Sequence, residues 1–320
     1  MPTRRQARPP TGGAQRGNAV GPRSYGPCRI LLAWLVPALA TSSLHAQQAE
    51  PFATPRYQVE ASLTHDDNVS RGRVSGDILR DQSVALRASR DWSAPISANT
   101  RWVLTAVGGG EVFATYSRLS RVFLEGQAAV EYRASGSFSA PTFTVFVTVA
   151  GDESRSTLRS GHRGTVGGSV SAALTDRVFV VASVSHEQHV ARSAVFSGRS
   201  QALRLNADYA VTPRGTLYAG VELRRGDANA SGGATLENID IAKFFVDDDA
   251  FAGSALKTYR FDADTVVAVV GFNLGFGSST SLDLSWRQAR TRPNTALPFA
   301  TDVPDRYVAN QWVLAVSRRF

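Results

Sequence analysis

The sequence predicts a transmembrane antiparallel β-barrel of about 12 strands, on the basis of three observations. Hydrophobic and polar residues alternate with a period of two through most of the chain. The connections between these segments alternate between tight turns and longer polar loops. An apolar stretch near the N-terminus is typical of a signal peptide, and the sequence after it has no apolar run of about 18 residues or more, the signature of a membrane-spanning helix.

The first 46 residues have the composition of an export signal. They hold six of the 35 basic residues and no acidic residue, which leaves 29 basic against 27 acidic residues in the rest of the chain. Arginines precede the apolar run Ile30–Ala40, whose 11 residues are too few to span a bilayer, since about 20 are needed. We therefore expect a signal peptide at 1–46, with a translation start nearer Val20 as an alternative. A short periplasmic segment at 47–56 and a barrel at 57–320 would follow.

Net charge and cysteine content exclude several classes of function. Much of the net charge of +8 lies in the predicted leader, so it does not indicate a nucleic-acid-binding surface. The single cysteine, Cys28, precedes the apolar run, which excludes a disulfide, a thiol nucleophile and a cysteine-ligated metal in the processed chain. The acidic residues at 66–67 and 247–249 lack the ligand spacing of a calcium loop. We expect no cofactor and no metal site.

Twelve segments fit strands that have one lipid-facing side and one water-facing side. In the fourth segment, Val122, Leu124 and Val130 alternate with charged residues such as Arg121 and Glu131. On a helix these side chains would be scattered around the axis, so a strand is the economical interpretation. The eighth to eleventh segments repeat this pattern within 203–209, 217–224, 259–264 and 282–287, and weaker segments lie at 57–67, 82–92, 100–113, 142–152, 164–174, 178–190 and 307–320.

The connections predict which end of the barrel faces the periplasm. Tight turns occur at 175–177, 212–215 and 277–280, and longer loops lie near 68–81, 153–163, 187–199, 226–256 and 288–306. Short periplasmic turns and longer extracellular loops are typical of bacterial barrels. The longest loop, 226–256, is the best candidate for a segment that folds into the lumen or binds a partner outside.

A soluble β-sandwich is the main alternative fold, because it also gives alternating strands. Its inner face would be rich in large apolar residues and its outer face polar. Here the apolar face is often built from Ala, Gly, Val and Thr, while the other face carries both signs of charge along one strand. These features favour the barrel.

The C-terminal segment carries a pattern of its own. Trp312, Leu314, Val316 and Phe320 occupy alternate positions up to the last residue, with Arg318 at a position that usually holds an apolar or aromatic residue. This pattern resembles the β-signal of bacterial outer-membrane proteins, which the barrel-assembly machinery reads. The resemblance implies insertion into the outer membrane of a Gram-negative bacterium, with the assembly machinery, membrane lipid and lipopolysaccharide as partners.

A second resemblance lies at the end of the first segment. Residues 63–69, Leu-Thr-His-Asp-Asp-Asn-Val, resemble the T-Y-D-D-N-[IV] motif of several porin-like barrel families, with His65 in place of the tyrosine. Those families are linked to exopolysaccharide export, surface assembly and uptake. The motif is shorter than ten residues and therefore supports the class of barrel rather than one member.

The water-facing positions supply the candidate functional residues. A channel with one basic and one acidic wall would orient polar solutes, whereas a ladder of cross-strand ion pairs would fill a closed interior, and the sequence is compatible with both. In the tenth segment the prediction assigns Tyr259, Phe261 and Ala263 to the lipid. The predicted lumen-facing charged residues are Arg87, Arg101, Arg121, Glu125, Glu131, Arg133, Arg204, Asp208, Glu222, Arg224, Arg260, Asp262, Asp264, Asp283 and Arg287.

The sequence favours a porin-like narrow channel for small polar solutes over two alternatives. One alternative is a non-conducting structural or assembly barrel linked to surface polysaccharide or envelope organisation. The more distant one is an outer-membrane lipid hydrolase, for which His65, His162, His186 and His189 are the available histidines. His186 and His189 are three residues apart and therefore point to opposite faces of a strand, so we expect no enzyme activity.

Overall fold

The period-two segments form long antiparallel strands in the computed structural model, which describes residues 56–251, 255–295 and 305–320. The predicted signal peptide and nearly all of the predicted segment 47–56 lie outside the described residues. The strands of the barrel wall are β1 Arg56–Asp66, β2 Asp81–Pro95, β3 Thr100–Phe113, β4 Arg121–Arg133, β5 Thr142–Ser154, β6 Gly161–Ala173, β7 Val178–Ala191, β8 Gly198–Ala210, β9 Gly215–Gly232, β11 Lys257–Phe276, β12 Thr280–Pro293 and β13 Tyr307–Arg319.

These 12 strands close on themselves. Each pairs with its neighbours in the chain, β9 pairs with β11, and β13 pairs with β1, so the wall has no free edge. At the closing seam the Phe320 amide donates a hydrogen bond to the Tyr57 carbonyl oxygen at 2.9 Å. The predicted fold class and strand number are confirmed, and the last strand pairs with the first as the even number requires.

The two ends of the barrel differ in their connections. The first strand begins and the last strand ends at the same end, here named the turn end, which also carries the short connections at 96–99, 174–177, 211–214 and 277–279. One connection at this end, 134–141, is longer. The opposite end, here named the loop end, carries the connections 67–80, 114–120, 155–160, 192–197, 233–256 and 294–306. The connections 155–160 and 192–197 are shorter than the predicted loops, because the flanking strands continue further than the alternation indicated.

Short elements lie at the loop end of the barrel. Helix α1 Leu236–Ile241, strand β10 Phe244–Asp247 and the 3-10 helix Asp249–Phe251 belong to the connection between β9 and β11, and a second 3-10 helix, Ser117–Leu119, lies between β3 and β4. Strand β10 pairs with the first residues of β11, on the side of β11 that β12 occupies further along. No helix in the described parts of the chain has the length and apolarity needed to cross a membrane.

Alternation sorts the side chains into an outer and an inner set. Val145, Val184 and Val166 on the outer face are 67%, 59% and 53% exposed. Such a continuous exposed apolar surface suits lipid rather than water. In β4 the faces are as predicted, with Val122, Leu124 and Val130 outside.

Strand β11 departs from the predicted faces. Tyr259, Phe261 and Ala263 are almost fully buried inside the barrel, while Asp262 and Asp264 lie on the outer face together with Val266. This part of β11 approaches the loop end, where the outside is no longer apolar. There the ordinary rule of soluble proteins applies and the apolar side chains turn inward. Tyr259, Phe261 and Ala263 pack with Ala230, Ile241 and Tyr307.

Candidate channel interior and its cover

The structure places the predicted lumen-facing charges on inner strand faces, except for those of β11. Asp262 and Asp264 lie outside, where Asp264 binds Arg225 at 2.7 Å and Lys243 binds Asp262 at 2.5 Å. Arg260 shares their strand face. Its guanidinium stacks on Phe244 with 4.6 Å to the ring centroid and donates to the Ser197 carbonyl at the rim. The prediction for these three residues is wrong because it assumed that the apolar face of β11 meets lipid along its whole length.

Near the turn end the interior charges form a neutral pair. Arg101 donates to Glu131 at 2.6 Å across the β3–β4 register. Arg133 donates to the Ser137 carbonyl oxygen at 3.0 Å. Asp208 alternates with the exposed Ala207 and Tyr209, which places it on the inner face. Of these charged residues, Arg101 and Glu131 form an ion pair with no net charge.

In the middle of the barrel, the aromatic ring of Phe123 packs on the inner face against Gly109. Phe123 is 6% exposed, and its ring lies where a Cβ on Gly109 would meet it at 2.7 Å. The guanidinium of Arg87 lies 5.7 Å from the centroid of the same ring. Arg87 is also within electrostatic range of Glu60 and Glu125. A small residue at 109 is therefore required for the inner wall to pack.

A second interior group surrounds Asp283. Tyr218 donates its hydroxyl hydrogen to Asp283 at 2.8 Å, and Asn273 lies 3.5 Å from the other carboxylate oxygen. The predicted residue Asp283 is thus held by two neutral side chains. Sequence reasoning did not single out Tyr218, although the alternation of β9 places it on the inner face.

Glu222 links two of the predicted arginines. Its two carboxylate oxygens accept from Arg204 and Arg224, each at 2.5 Å, and its side chain is only 2% exposed. Arg204 lies opposite Glu222 in the β8–β9 register, and Arg224 follows two residues later on the same face of β9. One buried carboxylate therefore serves two guanidinium groups.

Between this level and the loop end lies a chamber of about 470 Å³. On one side it is lined by Arg71, Arg224 and Arg287, from the β1–β2 connection, β9 and β12. On the side formed by β3 to β7 the lining includes Glu111, Arg121, Asp152, Arg163, Glu187 and His189.

The wall from β3 to β7 pairs groups of opposite charge. Arg121 binds Glu111 at 2.6 Å, and Arg163 lies 3.4 Å from Glu187. Asp152 is close to both arginines. Sequence reasoning did not single out Asp152, Arg163 or Glu187, although continuing the period of two from Val149, Val166 and Val184 would have placed all three inside.

The Asp-Asp-Asn motif at the end of β1 organises the first connection at the loop end. Asn68 is 1% exposed, and its side-chain amide donates to the carbonyls of Gly72 and Val308 at 2.8 Å each. Asp67 accepts from the side chain of Asn310 at 2.8 Å, across the closing seam. Arg71, at a positive φ of 54°, turns back to donate to both oxygens of Asp66 at 2.9 and 2.8 Å. The motif thus fixes the loop and directs Arg71 into the chamber.

Residues 244–251, here named the cover, extend over the mouth of the barrel. Asp248 accepts from Arg159 at 2.6 Å, and Asp249 accepts from Ser156 at 2.5 Å, both in the β5–β6 connection. Phe251 is 1% exposed and meets Tyr116, in the β3–β4 connection, edge to face with 5.1 Å between ring centroids. The cover leaves the wall between β9 and β11 and contacts rim connections several strands away, so it passes over the lumen. The predicted longest loop therefore extends over part of the mouth.

The first connection supports the cover from the side. The Ser231 amide donates to the Ser70 carbonyl at 2.8 Å, and the Gly233 amide donates to Asp77 at 3.1 Å. Ser231 also donates its hydroxyl hydrogen to Asp248 at 2.9 Å. The 67–80 and 233–256 connections are therefore tied to one another above the chamber.

Asp248 is the central acidic group of the cover, and its side chain is fully buried. Burial alone would raise the pKa of this carboxyl. Arg159 and the hydrogen bonds from Thr258 and the Ala250 amide outweigh that effect and hold the pKa of Asp248 below its ordinary value of 3.8. The group is therefore a carboxylate at neutral pH, and its ion pair with Arg159 is intact.

The histidines do not assemble into one site. His65, His162 and His186 lie exposed on the outer face of three different strands, and His189 lies on the inner side at the chamber. His186 and His189 point to opposite faces of β7, as expected from their spacing.

The fold and the interior define a class, the closed 12-stranded barrel with an apolar outer wall and a charged lumen. Among solved structures, the chain is similar to an outer membrane channel from Pseudomonas putida F1, with a TM-score of 0.53 and 14% identity over 85% of this chain and 97% of that one. This degree of similarity establishes the fold alone.

Two further solved structures are less similar to the chain. They are the NanC porin (TM-score 0.43, 8% identity, 82% of this chain and 98% of that one) and the KdgM porin in complex with disordered oligogalacturonate (TM-score 0.40, 10% identity, 82% and 99%). No protein-family model matches the sequence, and no curated protein matches it.

Proposed function

We propose that this protein is an outer-membrane channel that gives small polar solutes a narrow passage, with the turn end in the periplasm and the loop end outside the cell. The observation that carries the proposal is the chamber of about 470 Å³ lined by ionisable side chains inside an otherwise apolar wall. A barrel of 12 strands has room for a narrow polar lumen but not for a wide aqueous pore. Rings of charged side chains are the usual selectivity elements of such lumens.

In this proposal the cover is a gate. A solute entering from outside must pass residues 244–251, which are held by Asp248 and Asp249 to the β5–β6 connection. Both contacts join connections rather than strands of the wall, so they can break without disturbing the strand pairing of the wall. Opening of a loop of this kind is a motion of microseconds to milliseconds.

A non-conducting structural barrel is the second candidate. The observation that favours it is the neutralisation of interior charge by pairs such as Arg101–Glu131 and Arg121–Glu111, together with two loops tied across the mouth. A closed barrel would present its loop end to surface polysaccharide or to other envelope components. The proposed passage and this alternative differ in permeability, which can be measured directly.

Swelling of vesicles that contain the refolded barrel separates the two candidates. The solutes are neutral polyols and sugars of increasing size, compared with vesicles that lack protein. We expect swelling with the smallest polyols and a steep loss of rate towards disaccharides, because the lumen is narrow. Swelling rates equal to those of protein-free vesicles for every solute, also in a variant with a released cover, would support the structural barrel.

A further inference from the structure

We propose that Arg90 and Arg318, on the outer wall beside the closing seam, bind the phosphate group of an anionic phospholipid in the leaflet at the turn end. The inference does not depend on an open lumen, so it goes beyond the proposed function. It also gives a role to Arg318, which departs from the apolar pattern of the C-terminal segment. Its basis is the position of the two arginines, the rings that hold them and the charges around them.

Both arginines lie on the lipid-facing side of the wall. Arg90 continues the outward series of Leu86 in β2, and Arg318 continues that of Val316 in β13. Leu86 and Val316 are 58% and 47% exposed, as expected of side chains that meet lipid. Each arginine lies closer to the turn end than these apolar residues. A long cationic side chain at the edge of an apolar band extends its charge to the headgroups while its stem contacts the acyl chains.

Closure of the barrel brings the two arginines to either side of β1. Arg90 lies opposite Tyr57 in the β1–β2 register, and Arg318 lies opposite Val59 in the β1–β13 register. With about 4.8 Å between strands and about 3.4 Å per residue along a strand, their Cα atoms are roughly 12 Å apart. Two extended arginine side chains can reach one phosphate group across this distance.

Aromatic rings hold both guanidinium groups at this level. The guanidinium carbon of Arg90 lies 4.6 Å from the ring centroid of Tyr57 and 4.7 Å from that of Trp92. The guanidinium carbon of Arg318 lies 5.2 Å from the ring centroid of Phe320. Aromatic residues are typical of the boundary between acyl chains and headgroups, so these contacts place both charges at that boundary.

Acidic side chains do not neutralise the two arginines in the part of the chain that the structure describes. Neither guanidinium forms an ion pair there, and the buried Nε of Arg90 has no hydrogen-bond partner. The outer faces of β12, β13, β1, β2 and β3 carry no acidic side chain. The terminal carboxylate of Phe320 offsets at most one of the two charges. This face therefore presents donors and positive charge to the lipid.

The acidic residues that are close in the chain face the lumen. Asp91 follows Arg90 directly and accepts from Thr105 at 2.7 Å inside the barrel. Glu60 lies on the inner face of β1, within electrostatic range of Arg87. The wall thus separates these carboxylates from the arginines on the outer side.

The chemistry of the two guanidinium groups favours a phosphate group as their partner. Each guanidinium presents paired N–H donors that match phosphate oxygens, and the bonds are charge-assisted. A headgroup with a single negative charge suits a positive face better than a zwitterionic headgroup, whose own cation would lie near the arginines. Phosphatidylglycerol is therefore the probe. Phosphatidylcholine keeps the phosphate and adds a cation, and diacylglycerol lacks the phosphate.

Native mass spectrometry of the full refolded barrel in detergent tests the inference by counting bound lipids. The three lipids carry the same acyl chains and are titrated separately. We expect phosphatidylglycerol to bind at least about fivefold more tightly than phosphatidylcholine, and diacylglycerol not to be retained. Arg90→Gln and Arg318→Gln should each weaken phosphatidylglycerol binding about fivefold, the effect expected of one arginine at an anionic lipid surface. Arg318→Lys keeps the charge and should retain most of the affinity.

The matched control is Arg214→Gln, which removes an exposed arginine from the 211–214 turn at the same end of the barrel, away from the seam. It should leave the affinity unchanged. Heat-modifiable migration in gel electrophoresis shows whether each variant has folded, and only folded samples are titrated.

Three results would overturn the inference. They are equal binding of phosphatidylglycerol and phosphatidylcholine, an unchanged affinity in the folded Arg90→Gln and Arg318→Gln double variant, and an equal loss in Arg214→Gln, which would indicate general attraction by positive charge. Lipid binding and conductance are measured independently, so failure of the lipid site leaves the proposed channel in place, and failure of the channel leaves the lipid site.

Discussion

Arg159 donates a hydrogen bond to Asp248 at 2.6 Å, although the first residue lies between β5 and β6 and the second between β9 and β11. Two strands of the wall, β7 and β8, separate these connections. The contact therefore ties one part of the rim to another across the lumen. The guanidinium of Arg159 also lies 5.7 Å from the ring centroid of Phe251, so the same arginine holds the polar and the aromatic part of the cover.

Asp248→Asn should release the cover. The substitution removes the charge that Arg159 binds and weakens the contacts of a buried group, at a cost of about 2–3 kcal/mol to the closed state. At this cost, the fraction of molecules with the cover released should be at least about 30-fold larger in the variant than in the parent. The measurement is the rate at which an externally added protease cleaves the 233–256 connection in intact vesicles.

The matched control for this variant is Asp247→Asn. Asp247 is the preceding residue, its side chain is 87% exposed, and it pairs only with the exposed Lys257 in the described structure. A surface ion pair contributes about 0–1 kcal/mol, so cleavage should stay near the rate of the parent. Equal cleavage of the two variants would contradict the role given to Asp248.

Acid should open the cover in the parent protein. The pKa of Asp248 in the closed state lies below 3.8, so closure is favoured above that pH and is lost as the pH falls through the lowered pKa. Cleavage of the connection by an acid-stable protease should therefore be constant from about pH 8 to pH 5 and rise below about pH 4. In the Asp248→Asn variant the connection should be cleaved quickly across the whole pH range. If cleavage of the parent instead accelerates as the pH falls from 7 to 5, another group controls the opening.

Gly109→Ala should impair the barrel wall itself. A Cβ at this position would lie 2.3 Å from the Leu86 carbonyl oxygen and 2.7 Å from the Phe123 ring, so backbone must shift. Overpacking of this kind costs about 1–3 kcal/mol. Urea unfolding of the refolded barrel in detergent, followed by tryptophan fluorescence, gives the change in free energy.

Gly126→Ala provides the comparison for Gly109. A Cβ on Gly126, in the neighbouring strand β4, meets nothing within 4 Å. Its free energy of unfolding should therefore equal that of the parent or exceed it slightly, since alanine restricts the unfolded chain. If both variants unfold at the same urea concentration, the close packing at Gly109 contributes nothing to stability.

Removal of Phe320 should slow assembly while leaving export intact. The deletion removes the hydrogen bond to the Tyr57 carbonyl and an exposed aromatic ring at the turn end, next to Arg318. The fraction of heat-modifiable barrel in outer-membrane preparations should fall, with unfolded chain accumulating in the periplasm. Phe320→Tyr keeps the ring and should assemble normally; normal assembly of the deletion would count against a signal at this end.

The wall of the barrel was predictable because a lipid-facing strand has a simple local rule. Every second residue of such a strand must be apolar because it faces lipid, as Val122, Leu124 and Val130 do, whereas the residues between them need not be. The period of two is therefore visible in the sequence. The same rule failed at the loop end of β11. Tyr259 and Phe261 are apolar because they pack beneath the loops, and a short segment does not reveal whether its apolar side meets lipid or protein.

The site was harder to predict than the wall because it depends on which strands lie opposite each other. Nothing in the local pattern relates Arg71 to Arg287 or Asp248 to Arg159, since closure of the barrel and the path of two loops bring them together. The individual charges Arg224 and Glu222 could be predicted to face inward. Their pairing with Arg204 required the register between β8 and β9.

Conductance across a planar lipid bilayer tests the proposed channel most directly. The parent protein and a variant with Asp248→Asn and Asp249→Asn are each added to one side, and single events are recorded in concentrated potassium chloride. The account predicts brief, rare openings for the parent and the same unitary conductance with a much larger open fraction for the variant, because the cover limits access and the lumen sets the current. A complete absence of discrete openings in both proteins, with folded barrel verified in the membrane, would contradict it.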